Sequence, residues 1–146
     1  MSIRSTAQRV ADVRAKLENE VDIWVSSASA TGETYLLPLS FYWDGVSLTI
    51  ATPKKSRTAR NLRRAGWARL ALGPTRDVVI LEGPVHEVAV DADDALAEAH
   101  ARAAGFDARQ DPGYVFIQVK PTRIQAWRNP VELEHRDVMC DGEWLV

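Results

Sequence analysis

Tyr35-Leu-Leu-Pro-Leu-Ser-Phe-Tyr-Trp43, then Asp44-Gly45, then Val46-Ser-Leu-Thr-Ile-Ala-Thr52, then Pro53-Lys-Lys-Ser56-Arg-Thr-Ala-Arg-Asn-Leu62 run without a break through the first half of the chain. Two β-rich runs separated by Asp-Gly predict a hairpin, with positive φ at both central turn positions. Pro38 inside the first run predicts an edge or a bulge, because proline cannot donate to a ladder. The second run ends in Thr52. A short helix then follows over Ser56 to Ala65, with Ser56 as its N-cap and Gly66 as its stop.

The pattern continues on both sides. Upstream, Asp22 to Ser29 supplies another strand across Thr31-Gly32, making a three-strand meander. Before it, Val10, Val13 and Leu17 recur at helical spacing, and Ser5 with Gln8 fits a capping box for a helix over Thr6 to Glu20. Downstream, Trp67 to Leu72 and Val78 to Val88 have strand composition and are joined by a turn at Pro74 to Asp77. Asp91 opens a helix that Gly105 stops after Ala104. Tyr114 to Arg128 supplies one long strand or two abutting ones, broken at Pro121. Six or seven antiparallel strands with helices inserted between them predict a mainly β, α+β fold. The expected architecture is a small barrel with helices over its ends, not a parallel βαβ sheet.

Size and composition bound the rest. At 146 residues, 46% hydrophobic and 26% charged, the chain reads as one domain over 1–146. Within it, 1–20 is an N-terminal helix, 21–128 the barrel and 129–146 a C-terminal tail. The single Cys140 cannot form an internal disulfide, which suits a reducing compartment. No apolar run approaches the ~20 residues of a membrane span, and the N-terminus is polar, so the expectation is a cytoplasmic protein.

No dinucleotide, Walker, zinc-protease or nucleophile-elbow motif is present. His86, His100 and His135 lie far apart without ligand spacing, and Asp91, Asp93 and Asp94 suit a helix start better than a calcium loop. No metal ligand and no catalytic acid or base is assigned. The net charge of −2 conceals a basic segment from Lys54 to Arg64 with no acid in it. Arg57, Arg60 and Arg64 fall at i, i+3 and i+7, one guanidinium-lined face opposite Ala59 and Leu62. With the free N–H groups of a helix start, that face can cradle a phosphate beside a barrel able to hold a flat ring. It can equally be a solvated face whose arginines pair with the acidic tail. A nucleic-acid surface would need a wider basic stripe or a groove-reading motif, and neither is present. The tryptophans Trp24, Trp43, Trp67, Trp127 and Trp144 suit core or interface filling.

The order of strand, Asp-Gly turn, strand ending in Thr and basic Ser-Arg helix resembles the pyridoxamine 5'-phosphate oxidase-like, FMN-binding split-barrel superfamily. It is most similar to the short flavin/deazaflavin oxidoreductases. The likeness extends from Ile23 to Trp127 and includes Asp77 to Gly83 and Pro121 to Trp127. It implies a six- or seven-stranded antiparallel split barrel, working as a homodimer with two cofactor sites at the interface. The cofactor would be FMN or the deazaflavin coenzyme F-420. By this resemblance the backbone of Leu37, Pro38 and Leu39 lies along the ring edge. Thr52, Ser56, Arg57 and Asn61 surround the phosphate, and Trp127 approaches from the partner or packs behind the ring. One departure stands out: Thr58 occupies the place where the family commonly has lysine. Lys54, Lys55 or Arg60 would have to supply the missing charge, and the protein is expected to be isolable without FMN. The implied activity is hydride transfer between the bound cofactor and a small conjugated substrate, with no nucleic-acid or membrane partner. The alternative is a non-catalytic flavin- or heme-binding carrier or sensor. Leu133 to Asp137 resembles the substrate-binding end of the oxidases too faintly to carry pyridoxamine phosphate over.

Overall fold

In the computed structural model, which describes residues 2–146, strands β2 (Thr34–Trp43) and β3 (Leu48–Pro53) pair antiparallel through Phe41 and Ile50. The predicted hairpin is therefore present, but its turn is built differently. Only Gly45 has a positive φ, 98°, while Asp44 stays in ordinary backbone space. Asp44 instead accepts from the backbone N–H groups of Val46 and Ser47 through Oδ1, at 2.8 and 2.6 Å. An aspartate side chain can stand in for a turn hydrogen bond, so a four-residue loop replaces the expected two-residue turn.

Around this hairpin the chain closes on itself. β1 (Asp22–Ala28) pairs with β2 and with β4 (Trp67–Leu72), β4 with β5 (Val78–Ala89), β5 with β6 (Tyr114–Val119), and β6 with β3. The result is a closed antiparallel barrel of six strands. The long β5 makes closure possible by changing partners: residues 78–82 pair with β7 (Arg123–Trp127), residues 85–89 with β6. One sheet thus runs from the first half of β2 through β1, β4 and β5 to β7, and the other joins β3, β6 and the second half of β5.

β2 and β3 stay together only over Phe41 to Trp43, so residues 34–40 have a single neighbour, β1. Pro38 lies on that open edge, as its missing donor predicts. The gap between the β2 edge and the end of β3 is the split in the barrel, and α2 (Arg57–Ala65) begins there.

The main core holds Ile23, Val25, Phe41, Leu48, Ile50, Leu70, Leu81, Val119 and Ile124. α1 (Thr6–Asn19) adds Val10, Val13 and Leu17 to it, and α2 adds Ala59 and Leu62. α3 (Asp94–Ala104) packs elsewhere, over a second cluster that includes Ala51 and Phe116. The cap on α1 is half of the expected box. Ser5 accepts from the Gln8 N–H at 3.0 Å, but the Gln8 side chain donates to Asp12 rather than back to residue 5. α3 starts three residues later than read, because Asp93 is its cap, accepting from Leu96.

Residues 129–146 contain a 3₁₀ turn at Glu132–His135 and a hairpin of β8 (Asp137–Cys140) and β9 (Glu143–Trp144) that extends the first sheet beyond β7. Its turn, Asp141-Gly142, has the pair of positive φ values, 52° and 80°, expected earlier for Asp44-Gly45. No helix among the described residues is long and apolar enough to cross a membrane.

Candidate functional site

α2 is a strongly two-sided helix. Thr58, Ala59 and Leu62 are buried, which turns Arg57, Arg60 and Arg64 outward. Ser56 accepts from the Ala59 N–H at 3.1 Å, and its hydroxyl lies 3.2 Å from that of Thr52, the buried residue near the end of β3. Gly66 ends the helix in a left-handed conformation, φ 69°, with its N–H on the Leu62 carbonyl.

Between α2 and the tip of the β1–β2 hairpin lies a cleft of about 350 Å³. Arg57, Arg60, Asn61 and Arg64 line one side, Ser29, Glu33 and Tyr35 the other. The four helix residues recur at i, i+3, i+4 and i+7, so the cleft runs along the helix for about 10 Å at 1.5 Å per residue.

The cations around this helix have different occupations. Arg64 donates to the Ala28 carbonyl at 2.8 Å, tying α2 to the end of β1. Asn61 does the same one turn earlier, donating to Ser27 Oγ at 3.1 Å. Arg57 sits 5.6 Å above the Tyr35 ring and 3.9 Å from the Glu33 carboxylate, an exposed and weak ion pair. The Arg60 guanidinium has no hydrogen-bond or ion-pair partner among the described residues. Arg63 points away from the cleft, donating to Glu87 and to the Lys54 carbonyl. Its hydrogen bonds hold the Glu87 carboxyl below the usual carboxylate range.

Arg57, Arg60 and Asn61 are thus brought together in one cleft, and Ser56 and Thr52 meet just before it. Lys55 is exposed in the turn leading to Ser56. Thr58 is fully buried, and its hydroxyl has no partner among the described residues. In β2, Leu37 and Leu39 pack against the main core while Pro38 is exposed, so the strand faces the split with backbone rather than side chains. Trp127 stands apart, at the end of β7 opposite Val78, with the Arg136 guanidinium 5.9 Å from its ring centre. Ser29, Glu33 and Tyr35 escaped the sequence reading. They come from a hairpin tip that only the tertiary fold carries to α2.

This geometry suits a phosphate-bearing, flat cofactor. Guanidinium groups converge on a cleft with one opposing carboxylate, a hydroxyl pair marks a helix start, and an unpaired strand edge offers backbone donors and acceptors. The buried Thr58 hydroxyl adds an unused polar atom at the same helix start.

A closed six-strand barrel, split between β2 and β3 and bearing a serine-capped basic helix at the split, defines the split-barrel class. Within that class the sequence profile of the pyridoxamine 5'-phosphate oxidase family matches residues 10–128, and the chain belongs to that family. Solved structures agree on the fold at low identity. An F-420 reductase shares 17% identity with a TM-score of 0.64, covering 76% of this chain and 94% of its own. A pyridoxamine 5'-phosphate oxidase-related, FMN-binding protein of Nostoc punctiforme PCC 73102 shares 12%, with a TM-score of 0.56 and coverages of 86% and 84%. A heme-binding protein of Mycobacterium smegmatis shares 15% at a TM-score of 0.69, with 89% of this chain matching 57% of that one. No curated protein matches the sequence.

Proposed function

We propose that two copies of this chain bind FMN or coenzyme F-420 at their interface and catalyse hydride transfer to or from a small conjugated substrate. The observation that carries this reading is the guanidinium-lined cleft beside the open edge of β2. Family membership supports it, as do structural relatives named for FMN binding and F-420 reduction. The bound cofactor would supply the hydride chemistry, so the protein needs no acid or base of its own.

The residues have distinct tasks in this reading. Ser56, Thr52, Arg57 and Arg60 hold the phosphate, with Lys54 and Lys55 adding positive charge in place of the family's lysine at position 58. The backbone of Leu37 to Leu39 fixes the ring plane, while Leu37 and Leu39 are anchored in the core and keep that edge straight. Arg64 and Asn61 hold α2 against β1, setting the width of the cleft. Trp127 comes from the second chain.

Fluorescence titration of the apo-protein with FMN, FAD and coenzyme F-420 tests the proposal. Binding of at least one below about 100 μM, roughly 5.5 kcal/mol, is expected, followed by reduction and reoxidation of the bound ring. No binding at that level overturns the cofactor reading. Binding without turnover points to a carrier or sensor, for which heme becomes the next ligand to titrate.

A further inference from the structure

α2 borders two spaces. Arg57, Arg60, Asn61 and Arg64 line the guanidinium cleft, while Ala59, Leu62, Arg63 and Gly66 line a smaller pocket of about 130 Å³ beneath the helix. Both sets repeat at i, i+3, i+4 and i+7. The second is the first moved on by two residues, about 200° around a helix of ~3.6 residues per turn, so the pocket lies on the opposite face. Val85 and Glu87 of β5 and Ile117 of β6 form its far wall. Glu87 is the ladder partner of Ile117, and Val85, two residues earlier, shares its side of the sheet.

Uneven anchoring of α2 leaves this space. On the β1 side Arg64 and Asn61 tie the helix to Ala28 and Ser27. On the β5 side the Val85 N–H donates to the Gly66 carbonyl at 3.2 Å, and the Arg63 guanidinium donates to the Glu87 carboxylate. Between those two contacts the helix offers little to fill the gap. Ala59 is short, and Gly66 has no side chain; a methyl group placed on Gly66 would meet nothing within 4 Å.

The lining favours neither water nor an ion. Ala59, Leu62 and Ile117 belong to the main core, and Val85 packs against it. The polar groups on the border are already paired: the Gly66 N–H with the Leu62 carbonyl at 2.8 Å, the Gly66 carbonyl with Val85, the β5 and β6 backbones with each other, and Arg63 with Glu87. A buried water needs several polar partners, and none is spare here.

We propose that this pocket is a binding site for one small, uncharged apolar group, a single aromatic ring or a branched alkyl of similar size, entering beside the Arg63–Glu87 ion pair. Volume and surface both select that class: a cavity of ~150 Å³ lined by aliphatic side chains stays dry and takes up benzene. The ion pair at the mouth is partly solvated and adds little to closure, so a ligand displaces it at small cost. Once inside, the ligand supplies the dispersion contacts that α2 and the sheet cannot make with each other. The pocket lies back to back with the cleft on one nine-residue helix, and it stands whether or not the cleft takes a flavin.

Titration of the isotope-labelled protein with benzene, without cofactor and followed by amide chemical shifts, tests the pocket. Saturable shifts centred on Ala59, Leu62, Gly66, Val85 and Ile117 are expected, with half-saturation at or below about 1 mM, within what a ligand of about six carbon atoms can supply. Ala59→Val fills the space from the helix side and is expected to weaken benzene binding about tenfold or more while keeping the parent's far-UV circular dichroism. Ile117→Val trims the far wall and is expected to raise the preference for toluene over benzene about twofold or more above the parent's. Shifts that do not saturate, or that centre elsewhere, overturn the site. A folded Ala59→Val protein with the parent's affinity overturns it as well. If that variant does not fold, an unchanged toluene-to-benzene preference in Ile117→Val does so in its place.

Discussion

A methyl group on Gly83 would lie 2.2 Å from the carbonyl oxygen of Lys120 and 2.9 Å from Cα of Pro121. This contact sits where β5 changes partners, between Glu82, opposite Arg123 of β7, and Val85, opposite Val119 of β6. The crossing is pinned on both sides: the Lys120 N–H donates to the Pro84 carbonyl at 3.2 Å and the Thr122 N–H to the Glu82 carbonyl at 2.9 Å. Neither backbone can retreat without breaking a ladder bond, and Gly83 is not among the positive-φ residues, so its requirement is space. Gly83→Ala is expected to cost about 3–4 kcal/mol, at or above the upper end of ordinary overpacking because the obstacle is main chain. A lower urea midpoint at unchanged m-value would show this. A midpoint equal to the parent's would mean that the crossing has slack.

The cations on α2 should separate into two groups. Arg60 is free to meet an anion, so Arg60→Ala is expected to weaken FMN or F-420 binding about tenfold, the loss of one charge-assisted hydrogen bond, with little change in stability. Arg63→Ala should do the reverse, leaving ligand affinity within about twofold because its guanidinium is on Glu87. Parallel fluorescence titrations and thermal melts distinguish the two. Equal losses of affinity would mean that the cleft acts through its overall charge and not through placed guanidinium groups.

The difference between those arginines shows how far a sequence can be read at this site. Helical spacing put Arg57 and Arg60 on one face, and the structure keeps them there. Spacing could not say that Arg64 and Asn61 would be drawn to β1, since Ala28 and Ser27 are more than thirty residues away and are brought close only by barrel closure. The fold was legible where periodicity runs long enough, as in α1 and β5. It was not legible in β8 and β9, four and two residues long, too short for any alternation to register. The turn at Asp44 was misread because the sequence signal for positive φ is also the signal for a side chain that caps a loop.

His100 is fully buried, and both of its ring nitrogens lack partners among the described residues. It packs against Phe106 and Phe116 with ring centres 5.5 and 5.2 Å away. Burial among these rings lowers its pKa, and the Asp107 carboxylate opposes that only in part. The native state therefore holds fewer protons on this group than the unfolded chain does. Its contribution is complete above the unfolded value near 6.5 and falls as pH drops below it, by at most about 1.4 kcal/mol per pH unit. Urea midpoints of the parent should decline between pH 7 and pH 5, whereas His100→Phe should hold steady over that range. A parallel decline in both proteins would place the titrating group elsewhere.

Glu132 should govern a separate window at lower pH. Its carboxylate is 1% exposed and accepts from Arg4 through Nε, Nη2 and the backbone N–H at 2.8–3.0 Å, and from the Arg128 N–H at 2.8 Å. The Arg4 side chain is the main cause that holds its pKa down to about 2, against the opposing effect of burial. A depressed carboxylate contributes stability that is whole above its unfolded value of about 4.3 and is lost as pH falls toward 2. The contact joins the segment before α1 to the 3₁₀ turn ahead of β8, so its loss should loosen that segment while Arg9 still holds α1 to the His135 carbonyl. Glu132→Gln keeps the shape but takes the nearest carboxylate from the Arg4 guanidinium, only 11% exposed, leaving it Asp12 at 3.0 Å. It should cost about 1–3 kcal/mol at neutral pH, the loss of charge-assisted hydrogen bonds at a site where the arginine keeps a second carboxylate. Combined with His100→Phe, it should also make the acid limb of the stability curve between pH 4.5 and 2 shallower, the rest belonging to other lowered carboxylates such as Asp12, Asp77 and Asp137. If the double variant keeps the parent's full acid slope, Glu132 carries none of it.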